Sequence, residues 1–272
     1  MFEKIGDRII NVVSFGAGDP PFFAVGGWIG TWQVWRQTLE ILSEDRRCVA
    51  YDHRGSGQSL ADVSTLNREG LVDDVFLILD HLGIEDCWLG GESQGGFIAT
   101  CAYLRDPARF RGLVIIDSTP HWDPNDSRRL AFADALEKDL DAALGPFVGG
   151  CIPEEDAKPH LRRWLFQILK EAEPEYGPAL LRQMDVDIRD RLAEVQCPTL
   201  VVHGLHDVME PPESGRMFAE GIPGARWLGL EGVGHVPTIT RSNEVASAIR
   251  SLIADAEAAY GDRRRSIKDQ DA

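Results

Sequence analysis

The sequence predicts an α/β fold: a mostly parallel central sheet flanked by helices, with a helical segment inserted late in the chain. Three observations carry this expectation. Up to Ser118, short apolar runs alternate with amphipathic stretches, the rhythm of parallel strands covered by helices on both faces. From Thr119 to about Val195 the chain turns helix-rich and strand-poor, and strand character returns at Pro198. Between these features, a junction at Gly91-Glu92-Ser93-Gln94-Gly95-Gly96 joins the apolar run 86–90 to a helix-like run at 97–104.

The elements follow in order. Residues 8–15 alternate loosely and read as an early edge strand. After the turn at 16–21, Phe22-Phe23-Ala24-Val25 forms a short strand ending in Gly26-Gly27-Trp28-Ile29-Gly30. A helix starts at the N-cap Thr31, with Trp32, Trp35, Leu39 and Leu42 on one face. The strand 47–51 runs into Asp52-His53-Arg54-Gly55-Ser56-Gly57-Gln58-Ser59. Its two glycines demand a tight turn, which an Arg54–Asp52 pair would lock unless Arg54 meets substrate. Leu71, Val75, Ile78, Leu79 and Leu82 define an amphipathic helix over 66–82, stopped by Gly83.

A buried strand at 110–116 precedes the insertion. There, helices are expected at 128–143, 160–171 and 178–192, broken at Gly145-Pro146, Gly149-Gly150, Pro153 and Pro174. Strands follow at 198–204 and 225–230, then a closing helix at 243–258. The tail 261–272 lacks apolar spacing and is expected to fray. The expected organisation is a core of 1–118 and 196–260, with 119–195 as a helical cap over the carboxyl edge of the sheet, where ligands bind in such folds.

Composition narrows the function. A formal net charge of -16 argues against nucleic acid and against an anionic membrane as partners. The five cysteines are scattered, with no disulfide framework and no zinc spacing, and read as buried thiols. The N-terminal stretch has no apolar signal core, and no run is long enough to span a membrane. Together these point to a reduced, cytoplasmic protein. A homodimer is compatible with the sequence, which does not define the oligomeric state.

The junction at 91–96 carries the chemistry. A serine there must take a strained conformation, and glycines two positions to either side let strand and helix pack closely. The hydroxyl is then presented beside helix amides, as an exposed nucleophile next to a place for negative charge. A serine nucleophile needs a base, and the base needs an acid to fix its tautomer. Asp207, in His203-Gly204-Leu205-His206-Asp207, and His235, in Gly232-Val233-Gly234-His235-Val236-Pro237, each follow a strand and emerge from the edge that carries Ser93. Asp117, after the strand ending at Ile116, is the rival acid. His53, His81, His160, His203 and His206 read as ordinary polar groups, and Glu92 and Gln94 as backbone contributors only.

These motifs, in this order along nearly the whole chain, resemble the α/β-hydrolase fold family. The resemblance implies that Ser93 is the nucleophile, His235 the general base and Asp207 the orienting acid. It also implies an oxyanion hole made by the backbone amides of Gln94 and Trp28. One departure stands out: family members commonly carry His-Gly where this chain has Gly26-Gly27. The implied reaction is acyl transfer to water, with no metal or organic cofactor.

Trp28, Trp122, Phe132, Phe147, Trp164, Phe166 and Met184 are candidate pocket linings, favouring a small, largely apolar ester or lactone. Carbon–carbon bond hydrolases, perhydrolases, acyltransferases and hydrolase-fold receptors remain alternatives. A dehalogenase or epoxide hydrolase is disfavoured, because such relatives carry Asp where this chain has Ser93.

Overall fold

A computed structural model describes residues 2–5, 8–154 and 159–270. Its strands and helices run β1 (Phe2–Ile5), β2 (Arg8–Phe15), β3 (Phe22–Val25), α1 (Arg36–Leu42), β4 (Cys48–Tyr51), α2 (Arg68–His81), β5 (Cys87–Glu92), α3 (Gln94–Arg105) and β6 (Phe110–Ile116). The inserted segment holds β7 (His121–Trp122), α4 (Ser127–Lys138), α5 (Leu140–Cys151), α6 (Pro159–Leu169), α7 (Tyr176–Gln183) and β8 (Val186–Asp187). The chain ends with β9 (Thr199–Gly204), α8 (Pro212–Gly221), β10 (Arg226–Leu230), α9 (Pro237–Thr240) and α10 (Ser242–Gln270).

Eight strands form one sheet in the order β1-β2-β4-β3-β5-β6-β9-β10. Pairing from β4 through β10 is parallel, and β1 and β2 add an antiparallel edge. The parallel strands β3, β4, β5 and β9 are buried at every position. That is what a sheet covered on both faces requires, and why these strands read as continuous apolar runs. The expected α/β architecture is the observed one.

Local differences have local causes. The stretch after Thr31 begins as a 3-10 turn, Trp32–Trp35, capped by the Thr31 hydroxyl, before α1 starts at Arg36. Arg54 does not pair with Asp52. The Asp52 carboxylate instead accepts from the amides of Trp32 (2.9 Å) and Gln58 (3.0 Å) and from Asn11 Nδ2 (2.9 Å), so it organises the turn through backbone donors. Arg54 makes a two-pronged pair with Asp74 of α2 at 2.7 Å on both prongs, and donates to the Thr65 carbonyl.

In the insertion, the helix expected over 128–143 stops at Lys138. Asp139 then caps α5, its side chain accepting from the Ala142 amide at 3.0 Å. Gly145-Pro146 and Gly149-Gly150 do not break α5, whose Leu144, Val148 and Cys151 are buried. Packing of that face overrides the local breakers, as tertiary context does for a weak propensity. The helix expected over 178–192 is shorter. It gives way at Met184 to β8, which pairs with β7 at Trp122↔Val186, and then to a 3-10 segment, Arg189–Glu194. The sequence reading missed α8. The closing helix, expected over 243–258, runs Ser242–Gln270. Residues 271–272 lie outside the described residues.

Asp74 is 1% exposed and Arg54 4%, so neither charge can fall back on water. Asp74→Ala therefore should destabilise the fold by about 3–5 kcal/mol, the cost of stranding a buried partner. The midpoint of urea unfolding, compared with the parent at equal slope, checks this.

Candidate active site

Ser93 sits where β5 turns into α3, at φ 53° and ψ -122°. A non-glycine residue at positive φ is strained and persists only where its surroundings hold it. The surroundings do so. A Cβ at Gly91 would overlap the Gly95 carbonyl, and one at Gly95 would overlap the carbonyls of Val25 and Gly26. The Ser93 amide donates to the Ile116 carbonyl (2.8 Å), and its carbonyl accepts from the Ser118 hydroxyl (2.6 Å).

Three loops leaving the same sheet edge meet there. Ser93 Oγ lies 2.9 Å from His235 Nε2, and His235 Nδ1 lies 2.7 Å from Asp207 Oδ2. Asp207 Oδ1 accepts from the amides of Met209 (2.7 Å) and Glu210 (3.0 Å), which fixes the carboxylate. The histidine loop is held from the insertion. The His235 amide donates to the Cys151 carbonyl (2.9 Å), and the Gly234 amide to Glu154 Oε1 (3.0 Å). Glu154 carried no signal in the sequence that marked it as part of the site.

The electrostatics match this order. Burial alone would raise the Asp207 carboxyl, but His235 beside it, with bonds from His203 and His235, holds it below the usual carboxylate range. Burial alone would lower the His235 ring, but the Asp207 charge and hydrogen bond hold it above its ordinary value. The rival acid, Asp117, makes no bond to His235. Its Oδ1 accepts from the Gly204 amide at 2.7 Å, and burial pushes its carboxyl up to about 7.

His203 lies between the two acids, 3.6 Å from Asp117 and 3.5 Å from Asp207, and its Nε2 donates to the Glu210 carbonyl at 2.9 Å. Ligand atoms of Asp117, His203 and Asp207 lie within 4.8 Å of one another, the only such cluster among the described residues. Asp207 Oδ2 is already committed to His235 and His203 Nε2 to the Glu210 carbonyl, while Asp117 Oδ2 and His203 Nδ1 are buried without a hydrogen-bond partner.

The two amides named for the oxyanion hole come from the residue after Ser93 and from the loop after β3. Gln94 opens α3, so its N–H has no acceptor within the helix. Trp28 N–H has no acceptor among the described residues, and a Cβ on the preceding Gly27 would stand 3.7 Å from Ser93 Oγ. The His-Gly departure has a compensation. His53, from the turn after β4, is 1% exposed and its Nε2 donates to the Gly26 carbonyl at 2.7 Å. Burial lowers its pKa, keeping the ring neutral.

Ser93 and His235 open onto a cavity of about 460 Å³ lined by Trp28, Trp122, Phe132 and Phe147. Phe132 and Phe147 stack 5.1 Å apart and both pack on Trp28. Trp164, Phe166 and Met184 do not line it. Met184 is fully buried in the core, and Phe166 lies under the Lys170 ammonium on another face of α6. The cavity also has walls the sequence reading missed. Val208, Met209 and Glu210 directly follow Asp207, and Arg129 of α4 pairs with Glu210 at 2.6 Å while covering the Trp122 ring at 3.9 Å. Their nearness to Asp207 was the available signal. His81, His160 and His206 are exposed.

The chain belongs to the alpha/beta hydrolase fold family, whose model matches residues 20–166. It is similar to a protein of Azorhizobium caulinodans that bears the name carbamate hydrolase RutD, with 28% identity over 237 residues, 81% of this chain and 86% of the relative. It is also similar to a pimeloyl-[acyl-carrier protein] methyl ester esterase of Nitrosospira multiformis, 27% identical over 262 residues, 90% of this chain and 99% of the relative. The crystal structure of a bromoperoxidase from Bacillus anthracis superposes with a TM-score of 0.86 at 23% identity, covering 93% and 99% of the two chains, a likeness of fold. Among the described residues, no helix is long and apolar enough to cross a membrane.

Glu92, beside Ser93, gives a sign-definite prediction. Burial pushes its carboxyl from 4.5 up to about 8, so the folded protein keeps this proton where the unfolded chain has released it. The folded state binds more protons in that window, so this group's contribution to stability is full below pH 4.5 and is lost as pH rises to about 8. Glu92→Gln should flatten that slope, read from urea midpoints measured near each end of the window.

Proposed function

We propose that the protein is a serine hydrolase cleaving a small, largely apolar carboxylic ester or lactone through an acyl-enzyme on Ser93. The observation that supports it most is the continuous hydrogen-bond chain from Ser93 through His235 to Asp207, opening on an aromatic cavity. Residues 119–195 act as a cap, supplying Trp122, Phe132 and Phe147 to that cavity. The free thiols agree with a reducing, cytoplasmic setting.

In this reading, Ser93 Oγ attacks the carbonyl carbon as His235 Nε2 takes its proton. Asp207 keeps the ring's Nδ1 protonated and stabilises the imidazolium. The developing oxyanion rests on the Trp28 and Gln94 amides, where each donor supplies about 3–4 kcal/mol of transition-state stabilisation. His235 then gives its proton to the leaving alkoxide. Water, deprotonated by the same nitrogen, attacks the acyl-enzyme and releases the acid. The Gly26 carbonyl, held by His53, keeps the loop carrying Trp28 in register with Ser93.

A fluorophosphonate should add once to the folded protein, and Ser93→Ala and His235→Ala should both lose the adduct by intact mass. Adduct persisting in Ser93→Ala sinks the proposal. Asp207→Asn should lower kcat by roughly 10⁴, the effect of a wrong tautomer. Asp117→Asn should lower it far less, and comparable losses would transfer the acid role.

A further inference from the structure

Two arginines of α4 line the cavity that opens on Ser93 and His235, and they differ in setting. The Arg128 side chain is 85% exposed and lies 3.5 Å from Asp126. The Arg129 side chain is 20% exposed and held on two sides. Its Nη2 donates to Glu210 Oε1 at 2.6 Å, and its guanidinium carbon lies 3.9 Å from the centre of the Trp122 ring. Phe132, three residues further along α4, lines the same cavity, so one helix face supplies an aromatic wall and a fixed cation.

The bond to Glu210 uses one of the five N–H donors of the guanidinium. Nε and Nη1 of Arg129 have no hydrogen-bond partner among the described residues, and neither is sealed away from solvent. These donors are therefore open to a ligand, in a planar group already ordered by its ion pair and its ring contact. A largely apolar pocket orients its ligand through a few such placed polar groups. Charge decides which acceptor suits them. Arg128 and Arg129 are matched in the lining by Asp126 and Glu210. A carboxylate drawn to Arg129 would be repelled by the Glu210 carboxylate beside it, whereas an uncharged carbonyl oxygen meets the free N–H groups without that cost.

We propose that Arg129 is a specificity-determining residue, donating to an uncharged carbonyl oxygen that the substrate carries apart from its scissile ester. This rests on the serine-hydrolase reading above and narrows its substrate class. The favoured ester is apolar along Trp28, Phe132 and Phe147, with one neutral acceptor where Arg129 and Glu210 close the wall.

The test is kcat/KM for methyl oxoalkanoates of five to eight carbons with the ketone on the penultimate carbon, each against the methyl alkanoate of equal length. Oxoalkyl acetates against alkyl acetates place the ketone on the other side of the scissile bond. Monomethyl esters of matched dicarboxylic acids supply the charged acceptor. At the best length in one series, the ketone should raise kcat/KM by about tenfold or more, the scale of a hydrogen bond to a charged donor. The carboxylate ester should fall below the ketone ester. Arg129→Met should bring the ketone-to-alkane ratio within about twofold of unity, and Arg129→Lys should restore part of it. If Arg129→Met does not fold, the double variant with Glu210→Gln removes both charges together, and the wild-type ratios decide alone if that also fails. A ratio near unity at every length in both series, or one that survives Arg129→Met, would overturn the assignment and leave the Arg129–Glu210 pair as a structural tie. A carboxylate ester that outruns the ketone ester would overturn it too, as would fluorophosphonate labelling of Ser93 with no ester turned over. In each of these cases stoichiometric labelling keeps the serine-hydrolase reading, while absence of both labelling and turnover takes both readings away.

Discussion

Ser93 is held at φ 53° by close backbone approach on both sides, and the geometry of the site follows from that constraint. A side chain at Gly91 would push β5 and α3 apart, and one at Gly95 would push α3 off the end of β3, letting the serine relax toward an ordinary conformation. Its hydroxyl would then leave the line from His235 Nε2. The strain is stored by packing, since the strand beneath is buried at every residue and cannot yield. Asp117 repeats the device at the end of β6, with φ 44°, and its carboxylate ties that strand end to the Gly204 amide of β9.

His235 has a different kind of support. Its loop is pinned by the inserted segment: Cys151 takes the His235 amide, and Glu154 takes the Gly234 amide and the Thr240 hydroxyl. Arg162 in turn holds the carbonyls of Ile152 and Glu154. The Trp28 indole donates to the Gly177 carbonyl, and Arg129 pairs with Glu210 beside Asp207. The loops carrying His235, Asp207 and Trp28 thus each have a bond to the insertion. The cavity walls and His235 are parts of one packed unit, so a change in the insertion reaches His235 through hydrogen bonds as well as through the cavity.

Buried acids crowd this region in a protein of net charge -16. They are sorted by their partners. Asp207, with backbone donors and two imidazoles, stays ionised, while burial pushes Asp117 and Glu92 up. One carboxylate beside His235 is therefore charged and the other two lean toward neutrality. That limits mutual repulsion among them.

By itself, the sequence determined the sheet, the elbow and the Ser93–Asp207–His235 set, because each depends on local patterns. Strands buried on both faces read as apolar runs, and an elbow that needs glycines shows them. A turn after a strand puts its side chain at the edge whatever follows. The partners from distant loops were decided by tertiary structure alone. Glu154 reaches Gly234, His53 supports Gly26, and Arg54 prefers Asp74 to the nearby Asp52, none of which a spacing can announce. Which aromatics of the insertion face the cavity was also settled there. Phe147 and Phe166 both lie on helices, and only the packing of α5 and α6 turns one toward Ser93 and the other under Lys170. Helical periodicity defines a buried face, whereas the cavity is whatever space several such faces fail to fill, and that is fixed only when they meet.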